Sequence, residues 1–467
     1  MKPLIAAFSA GLLILFVCLL DRHRGRPISK AAWIPLAWLL IGSSRPLTSW
    51  FISLQQGANY EDGSPLDRTV LTILLALGLF VLSKRMRSVK PVLRANLPII
   101  FFFLYCLASI VWSDFPFITF KRWTRGIGDI VMILIIVTDP HWEAVLKWIL
   151  RRIAFLLIPL SVLLVRFFPE YGRNYSFGGA PMWTGVCTDK NALGTLCMIF
   201  GTALLWQMLP LSTHRPTKLL HRRERIAMGI VLAIALYLIA NIDSKTALMC
   251  LVLASTLIII TLLRQRFRRP GLLTAIVAGM IISCYCVLFL GIGTSALETL
   301  GRKSDLTGRT EIWAAVLPLA TNPWLGTGYE DFWMGDRFLA VQRAVGAPLN
   351  EAHNGYIEIY LNLGWMGLAL LGIIIVAGYR NIMKGLRANP NVTRLKLAFF
   401  LICLVYNFTE ATFKMNSPIW IFFLWGVMAV PKLSVRSKFG LAPRNSKLVE
   451  VTMNETPLSF PNPTRAW

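Results

Sequence analysis

The chain has 467 residues, of which 55% are hydrophobic and only 15% are charged, and its 48 Lys and Arg residues outnumber its 23 Asp and Glu residues. A soluble globular protein is about a quarter charged, so a soluble fold, a disordered chain and a secreted disulfide scaffold are excluded. The mean hydropathy of +0.59 agrees with this. The apolar residues occur in runs long enough to cross a bilayer. The composition therefore predicts an all-α polytopic membrane protein.

Apolar blocks recur along almost the whole chain, and their number predicts about 12–13 transmembrane helices. In chain order, they lie at 4–20, 31–52, 69–83, 97–112, 127–138, 153–168, 190–210, 226–240, 247–263, 271–293, 357–379, 397–411 and 418–430. The blocks at 127–138 and 418–430 are short for a full span, because a spanning helix needs about 20 apolar residues.

Basic residues alternate between successive loops. Every second loop, together with the C-terminal tail, is rich in Lys and Arg, and this set holds 32 of the 48 basic residues, against 13 in the opposite set. The positive-inside rule places the rich set in the cytoplasm, with the N-terminus outside and the C-terminus inside. The net charge of +25 then reflects topology and contact with anionic lipid headgroups, and nucleic-acid binding is disfavoured.

One outer segment is much longer than the others. The predicted organisation is ten transmembrane helices with short loops over 1–293, a long outer loop over 294–356, C-terminal transmembrane helices over 357–430 and a flexible cytoplasmic tail over 431–467. Loops of this length are usually functional or disordered, and the aromatic residues and turn glycines of this one argue against disorder. Apolar residues at helical spacing from Ile312 to Ala320 predict a short helix, either along the membrane surface or packed beneath the loop.

His353 is the only one of five histidines that the predicted topology places on the outer face. It lies at the end of the long loop, beside Glu351 and Asn354. An imidazole is well suited to proton transfer near neutral pH, so His353 is a candidate base, with Glu351 and Asn354 as supporting residues. The alternative is a structural role for this histidine.

Several basic residues lie on the outer side, against the bias that governs membrane insertion. They are Lys121, Arg122, Arg125, Arg173, Lys190 and Arg309. The guanidinium group offers a rigid fork of donors that matches phosphate, so phosphate binding is one explanation. Structural salt bridges to nearby outer carboxylates are the other. Arg45 lies inside the block at 31–52, where a charge usually marks a functional residue, although Pro46 beside it also permits a broken helix with the charge at the outer face.

Three enzyme classes lack their motifs. The chain contains no G-x-x-x-x-G-K-[ST] for a P-loop ATPase, no H-E-x-x-H or paired Asp cluster for a divalent metal, and no G-x-S-x-G for a hydrolase. Seven of the eight cysteines lie in apolar blocks and only Cys187 lies in a loop, so neither a metal site nor a disulfide is predicted.

The long loop and its flanks carry a series of motifs in a fixed order. They are Gly308-Arg309-Thr310-Glu311-Ile312-Trp313, then Pro323, Gly326 and Gly328, then His353-Asn354-Gly355-Tyr356 and Gly364, preceded by Trp183-x-Gly185 and Lys190-Asn191-x-x-Gly194. This series resembles the signature of the O-antigen ligase and Wzy-type polymerase superfamily. The resemblance covers residues 95–430 and is most specific over 300–370. Within that superfamily the chain resembles exopolysaccharide polymerases of the ExoQ type.

The resemblance implies a metal-independent, GT-C-like glycosyltransferase without a cofactor, in the bacterial inner membrane. Its donor would be an oligosaccharide on undecaprenyl diphosphate, presented at the periplasmic face, and its reaction would polymerise exopolysaccharide repeat units. A ligase that transfers a finished glycan to a lipid acceptor is the alternative, and a non-enzymatic transporter of lipid-linked sugars is a more distant one. The implied partners are that donor, a glycan or lipid acceptor, membrane lipids, and chain-length regulator and export proteins.

The resemblance also implies roles for individual residues. Arg309 matches the diphosphate-binding arginine of the family and would be catalytic, and His353 matches its proposed base. Arg122 and Arg125 match the earlier arginines of the family more loosely, and Lys190 joins them as a diphosphate ligand.

Overall fold

The computed structural model describes residues 2–21, 28–51, 64–175, 179–209, 218–263, 270–289, 309–346 and 349–431. All of these ranges belong to one unit that ends at Pro431. The predicted cytoplasmic tail from 432 onward and residues 294–308 of the predicted long loop lie outside the described ranges.

The described ranges are almost entirely helical, in keeping with the predicted class. The α-helices, numbered α1 to α18, are Lys2–Leu20, Trp33–Gly42, Thr48–Phe51, Pro65–Lys84, Met86–Ala95, Leu97–Ala108, Pro116–Val137, Trp142–Phe167, Pro169–Gly172, Lys190–Met208, Lys218–Asn241, Lys245–Leu263, Pro270–Phe289, Arg309–Val316, Gly335–Val345, Gly355–Ala388, Pro390–Tyr406 and Pro418–Val427. Three 3-10 turns are Lys30–Ala32, Ser109–Val111 and Leu317–Leu319. The described strands are Arg173–Tyr175 (β1) and Pro181–Trp183 (β2), which pair antiparallel.

Eight of the described helices are long and apolar enough to cross a membrane, and a ninth span is formed if α5 and the helix after it, bent by 89°, count as one. The prediction of an all-α polytopic membrane protein is confirmed. The number of described helices that meet this criterion is lower than the predicted 12–13 transmembrane helices. The described part of each apolar block nevertheless lies mainly on helices. Some blocks are shorter than a span, such as α18 with 10 residues. In α7 the charged residues Lys121, Arg122, Arg125 and Asp129 share the helix with the apolar run.

Arg45 explains why the block at 31–52 is broken. Its side chain is only 8% exposed, and its guanidinium donates to the carbonyl oxygens of Tyr171 (2.6 Å), Gly185 (2.6 Å), Cys187 (3.2 Å) and Val186 (3.3 Å). Four backbone acceptors satisfy a buried charge that would otherwise be costly. Arg45 therefore holds the segment around the β-hairpin against the end of α2. The helix break suggested by Pro46 is present between Gly42 and Thr48, but the charge at this break is buried.

The glycines of the long-loop motif have a packing role. Gly364 interrupts α16 with a φ of 62°, and a Cβ there would lie 2.3 Å from the backbone of Trp324. Gly326 has a φ of 71°, and a Cβ on it would lie 2.4 Å from the backbone of Asn362. The amide of Gly328 then donates to the Asn362 carbonyl at 2.8 Å. The loop thus runs directly against the break in α16, at a distance that only glycine permits.

The short helix predicted in the long loop is present as α14. Its residues Ile312 and Val316 are buried in a hydrophobic cluster with Phe332, Trp333 and Val341 from later parts of the same loop. This arrangement matches the second sequence-based alternative, a helix packed beneath the loop. The cluster gives the described part of the loop its own apolar core, which fixes Arg309 at the first position of α14.

The predicted topology can be tested by cysteine labelling. Arg343 in the long loop and Arg87 in α5 are both exposed, and the charge pattern places them on opposite sides of the membrane. We expect Arg343→Cys to react with an impermeant thiol reagent in intact spheroplasts, and Arg87→Cys to react only after lysis. The unmodified chain serves as the control, since its cysteines are buried or half-buried. Labelling of Arg87→Cys before lysis would show that the topology is the reverse of the predicted one.

Candidate functional site: an ionic cluster between two cavities

His353 lies between two carboxylates that come from different parts of the chain. Its Nδ1 is 3.0 Å from Oε1 of Glu351 and 3.3 Å from Oε2 of Glu410. Two cations complete the group: Arg309 Nη2 lies 2.8 Å from Glu410 Oε1, and Lys414 Nζ lies 2.6 Å from Glu351 Oε2. These five residues are called the ionic cluster below. Each carboxylate thus joins His353 to one permanent cation.

The backbone around His353 is fixed by the start of α16. Asn354 caps this helix, because its Oδ1 accepts hydrogen bonds from the amides of Tyr356 (2.9 Å) and Ile357 (3.1 Å). Its Nδ2 donates to the Phe408 carbonyl at 3.2 Å, which ties the helix start to the segment that carries Glu410 and Lys414. His353 itself has a φ of 49°, a left-handed conformation that is uncommon for residues other than glycine. Asn354 therefore has the predicted supporting position, and it acts through the backbone.

Each charged side chain of the ionic cluster stabilises the charged form of its neighbours. Burial alone would lower the pKa of His353, but its hydrogen bonds to Glu351 and Glu410 outweigh burial and raise the pKa to about 10. Burial would raise the pKa of Glu351, but Lys414 and His353 hold it well below its usual range. Burial opposes the charge of Lys414 too, yet Glu351 raises its pKa. At neutral pH the resting cluster therefore holds His353 as an imidazolium between two carboxylates.

The same residues include the donor types that bind metals. One ligand atom from each of Glu351, His353 and Glu410 lies within 4.8 Å of the others. However, Lys414 and Arg309 already neutralise the two carboxylates, and the imidazole has its Nδ1 directed at both of them. A divalent ion would have to compete with two built-in cations and a proton. Both carboxylates are thus already neutralised by residues of the chain itself.

A cavity of about 590 Å³ borders the cluster at Glu351 and Lys414. It is called the cationic cavity below. Besides Lys414, its walls contain four basic residues: Arg68, Lys121, Arg122 and Arg125. Its apolar wall consists of Leu71, Leu75, Phe117, Ile118 and Phe120. A site that combines several cations with a hydrophobic wall fits a ligand with an anionic head and an apolar chain.

Arg122 and Arg125 lie three residues apart on α7, and therefore on the same face of the helix. Arg122 donates to the backbone carbonyl of Glu330, a residue held at a φ of 58°. Burial raises the pKa of the Glu330 carboxyl, although the charge of Arg122 opposes this.

Within the described part of the chain, Arg125 makes neither a hydrogen bond nor an ion pair. Arg125 thus presents a guanidinium with free donors to the cavity.

The predicted diphosphate ligands are only partly brought together. Arg122 and Arg125 share the cationic cavity, whereas Arg309 belongs to the ionic cluster and is absent from the described lining of that cavity. Lys190 is the first residue of α10, directly after the helix cap Asp189, and it too is absent from that lining. Glu351 and Lys414 are the residues that connect the cavity to the cluster.

Sequence analysis missed two members of the cluster, Glu410 and Lys414. The first falls at the edge of the apolar block at 397–411, which was interpreted as part of a span, and the second was counted only as a loop charge. A signal was available, because a carboxylate and a lysine four residues apart at the outer end of an apolar block are as unusual there as the outer arginines. What the sequence could not show is that both charges face His353.

Two comparisons with known proteins show what the chain is similar to. Residues 230–372 match the family model described as O-antigen ligase (Wzy_C), a region that contains Arg309, His353 and Gly364. The exopolysaccharide production protein ExoQ of Rhizobium meliloti (strain 1021) is 23% identical over 299 residues, which is 61% of this chain and 65% of that protein. The chain thus spans just under two thirds of that relative. The matches confirm the resemblance indicated by the motifs: residues 230–372 are similar to the O-antigen ligase family, and the chain is similar to ExoQ.

Proposed function

We propose that the chain is a GT-C-like membrane glycosyltransferase, which polymerises exopolysaccharide repeat units from an undecaprenyl-diphosphate-linked donor at the periplasmic face of the inner membrane. The observation that carries this proposal is the cationic cavity, with the ionic cluster at its border and in its wall Arg125, which has no hydrogen bond or ion pair among the described residues. The similarity to ExoQ, an exopolysaccharide production protein, supports an exopolysaccharide product, and polymerisation is the reaction that we assign to this site.

The donor fits the cationic cavity in both of its parts. A diphosphate carries several negative charges, and Arg122 and Arg125 offer it guanidinium donors from one face of α7. The polyprenyl chain needs an apolar surface, which Leu71, Leu75 and Phe117 supply. Because the diphosphate is bound by arginines, its departure is stabilised electrostatically without a requirement for a metal.

The acceptor is activated by His353. Its Nδ1 is directed at Glu351 and Glu410, so its Nε2 is the nitrogen left to accept a proton, as in hydrolase triads where a carboxylate orients the imidazole. The reacting form is the neutral imidazole with its proton on Nδ1, a minor fraction at neutral pH because the two carboxylates raise the pKa of His353 to about 10. In the reaction, the acceptor oxygen bonds to the anomeric carbon and its proton passes to Nε2. The bond from that carbon to the diphosphate oxygen breaks, and the lipid diphosphate leaves with the electron pair. The energy comes from the donor itself, so no ATP is needed.

Arg309 has a place at the leaving group in this scheme. One of its nitrogens is bonded to Glu410, and the side chain is about a quarter exposed. The guanidinium has further N–H donors, which can bind a diphosphate oxygen while the ion pair to Glu410 is kept. Lys190 is retained as a more distant ligand for the phosphate groups, at the start of α10.

The ligase and transporter alternatives use different acceptors or none. A ligase would share the donor cavity and His353 but would transfer the glycan to a lipid. A transporter should carry its substrate-binding residues near the middle of broken, repeated helices. Here the ionic cluster lies instead at the start of α16 and in the segment after α17, which favours an enzyme.

The proposal is tested by reconstitution of the purified chain in liposomes with lipid-linked repeat units, followed by sizing of the glycan products. We expect a ladder of increasing lengths that disappears with His353→Ala. Transfer of one glycan to a lipid acceptor, without a ladder, would assign the ligase reaction. Redistribution of the lipid-linked sugar across the bilayer without any covalent product would assign the transporter.

A further inference from the structure

A second, smaller cavity of about 260 Å³ borders the ionic cluster. It shares Glu351, Lys414 and Met415 with the lining of the cationic cavity, and Glu410 is also part of its wall. The two cavities thus meet at Glu351, one of the two carboxylates that hold His353. The smaller one is called the polar cavity below, after the hydroxyl and amide side chains that line it, among them Ser43, Ser44, Asn191, Thr195, Thr412 and Asn416.

Three of these side chains have unsatisfied polar atoms. Ser43 Oγ, Thr412 Oγ1 and Asn416 Oδ1 are buried and have no hydrogen-bond partner in the described part of the chain. Ser43 is 5% exposed and Thr412 is 9% exposed. Buried polar atoms are nearly always paired, because an unpaired one costs free energy. Three unpaired atoms in the wall of one small cavity indicate that a hydrogen-bonding ligand belongs there.

The chemistry of the polar cavity differs from that of its neighbour. Its described basic residue is Lys414, which is already paired with Glu351, whereas the cationic cavity has four further cations. Neutral hydroxyl and amide groups suit a partner that both donates and accepts hydrogen bonds, as sugar hydroxyls do. The volume lies just below the roughly 300 Å³ at which pockets for drug-sized ligands begin, which suits one sugar ring.

We propose that the polar cavity binds the terminal sugar of the glycan acceptor, through hydrogen bonds to Ser43, Thr412 and Asn416. Glu410 lies in its wall and is 3.3 Å from His353 Nδ1, so a sugar there is separated from His353 by a single carboxylate. The two substrates then occupy separate cavities that both border the ionic cluster. This assignment rests on the proposed function, and it adds to that function the location and the chemical class of the acceptor site.

The test measures two affinities on the purified full-length chain in detergent. The probes are undecaprenyl diphosphate, and a carrier-free oligosaccharide of one repeat unit cleaved from the polysaccharide that the host makes. We expect the Ser43→Ala/Thr412→Val double variant to weaken oligosaccharide binding about 10-fold, the effect of one or two lost hydrogen bonds, and to leave the Kd for undecaprenyl diphosphate unchanged. Arg125→Gln should show the reverse pattern.

Thr202→Val is the matched control, because Thr202 is buried in α10 and its hydroxyl already donates to the Met198 carbonyl at 2.7 Å. Neither affinity should change in this variant. Should the double variant fail to fold, Asn416→Gly tests the same cavity, since glycine accepts the φ of 59° at that position. An oligosaccharide Kd that stays unchanged in the cavity variants, while the unmodified chain binds both probes and forms product, would overturn the acceptor site alone. If the unmodified chain neither binds undecaprenyl diphosphate nor forms product, the proposed function is overturned.

Discussion

Replacement of His353 by Ala is expected to slow glycan transfer by about 10²–10⁴-fold, the usual contribution of a general base. Donor binding should change little, because Arg122 and Arg125 lie in the cationic cavity and the substitution leaves them in place. The measurement is product formation in liposomes together with the Kd for undecaprenyl diphosphate. We expect product formation to fall while the Kd for undecaprenyl diphosphate stays constant.

Two further variants distinguish a base from a structural residue. Asn tolerates the left-handed conformation that His353 adopts, with a φ of 49°, so His353→Asn keeps the backbone unstrained. His353→Gln keeps a hydrogen-bonding side chain of similar reach. Neither amide accepts a proton at neutral pH, so both variants should remain as poor as His353→Ala. A fully active and normally abundant Asn or Gln variant would show that His353 is structural and would transfer the role of base to Glu330 or another carboxylate.

The pH dependence of the same reaction follows from the ionic cluster. The sequence alone predicts an inflection near the ordinary pKa of histidine, or above it if the neighbouring Glu351 raises the pKa. In the structure, the hydrogen bonds to Glu351 and Glu410 raise the pKa of His353 to about 10. A base with that pKa is mostly protonated at neutral pH, so the rate should keep rising from pH 7 to 9 without a plateau. An inflection near pH 6.5 would contradict the geometry of the cluster.

The raised pKa also links His353 to stability. A group whose pKa is raised on folding stabilises the fold fully below its unfolded pKa of about 6.5, and this contribution is lost as the pH rises through the folded value. The stabilisation by His353 should therefore decline between pH 6.5 and 10, over the range in which activity increases. Thermal unfolding measured in the same buffers separates the two effects, and a His353→Asn chain should show a weaker dependence.

The fold class was predictable because it depends on local composition. Apolar runs and their flanking charges predict a polytopic helical protein without any knowledge of contacts. Pro46 beside Arg45 also permitted a break in the block at 31–52, but the sequence does not reveal that Arg45 binds the carbonyls of a distant loop there. That interaction joins residues more than 120 positions apart, and periodicity carries no information about it.

The candidate site was predictable to a smaller extent. His353, Glu351 and Asn354 are adjacent in the sequence and were identified together. Arg309 was identified through its motif, but its partner Glu410 lies 101 residues later, in an apolar block where a carboxylate is easily interpreted as the end of a helix. Which arginines share a cavity also depends on helix packing, since the cavity of Arg122 and Arg125 meets the ionic cluster at Glu351 and Lys414. Residue types and motifs thus indicate the chemistry, and long-range contacts decide which residues cooperate.

Arg309→Ala is expected to reduce transfer about 10²–10³-fold, the range found when one group that stabilises a leaving or developing anion is removed. Arg309→Lys should recover only part of the activity, because an ammonium group cannot reproduce the planar fork of a guanidinium. Arg343→Ala is the matched control: this arginine lies in the same loop, is exposed, and donates only to the Leu339 carbonyl of its own helix among described residues. The activity of the Arg343→Ala variant should stay at the level of the unmodified chain.

The ion pair between Arg309 and Glu410 offers a competing explanation, namely that the arginine only neutralises the carboxylate. A double-mutant cycle with Glu410→Gln separates the two roles. If neutralisation is the whole function, Arg309→Ala/Glu410→Gln should be as active as Glu410→Gln alone, since no buried charge is left unpaired. If Arg309 binds the diphosphate, the double variant should remain well below Glu410→Gln in rate and should bind undecaprenyl diphosphate more weakly. We expect the second result, because Arg309 keeps free donors and a quarter of its surface exposed beside the base.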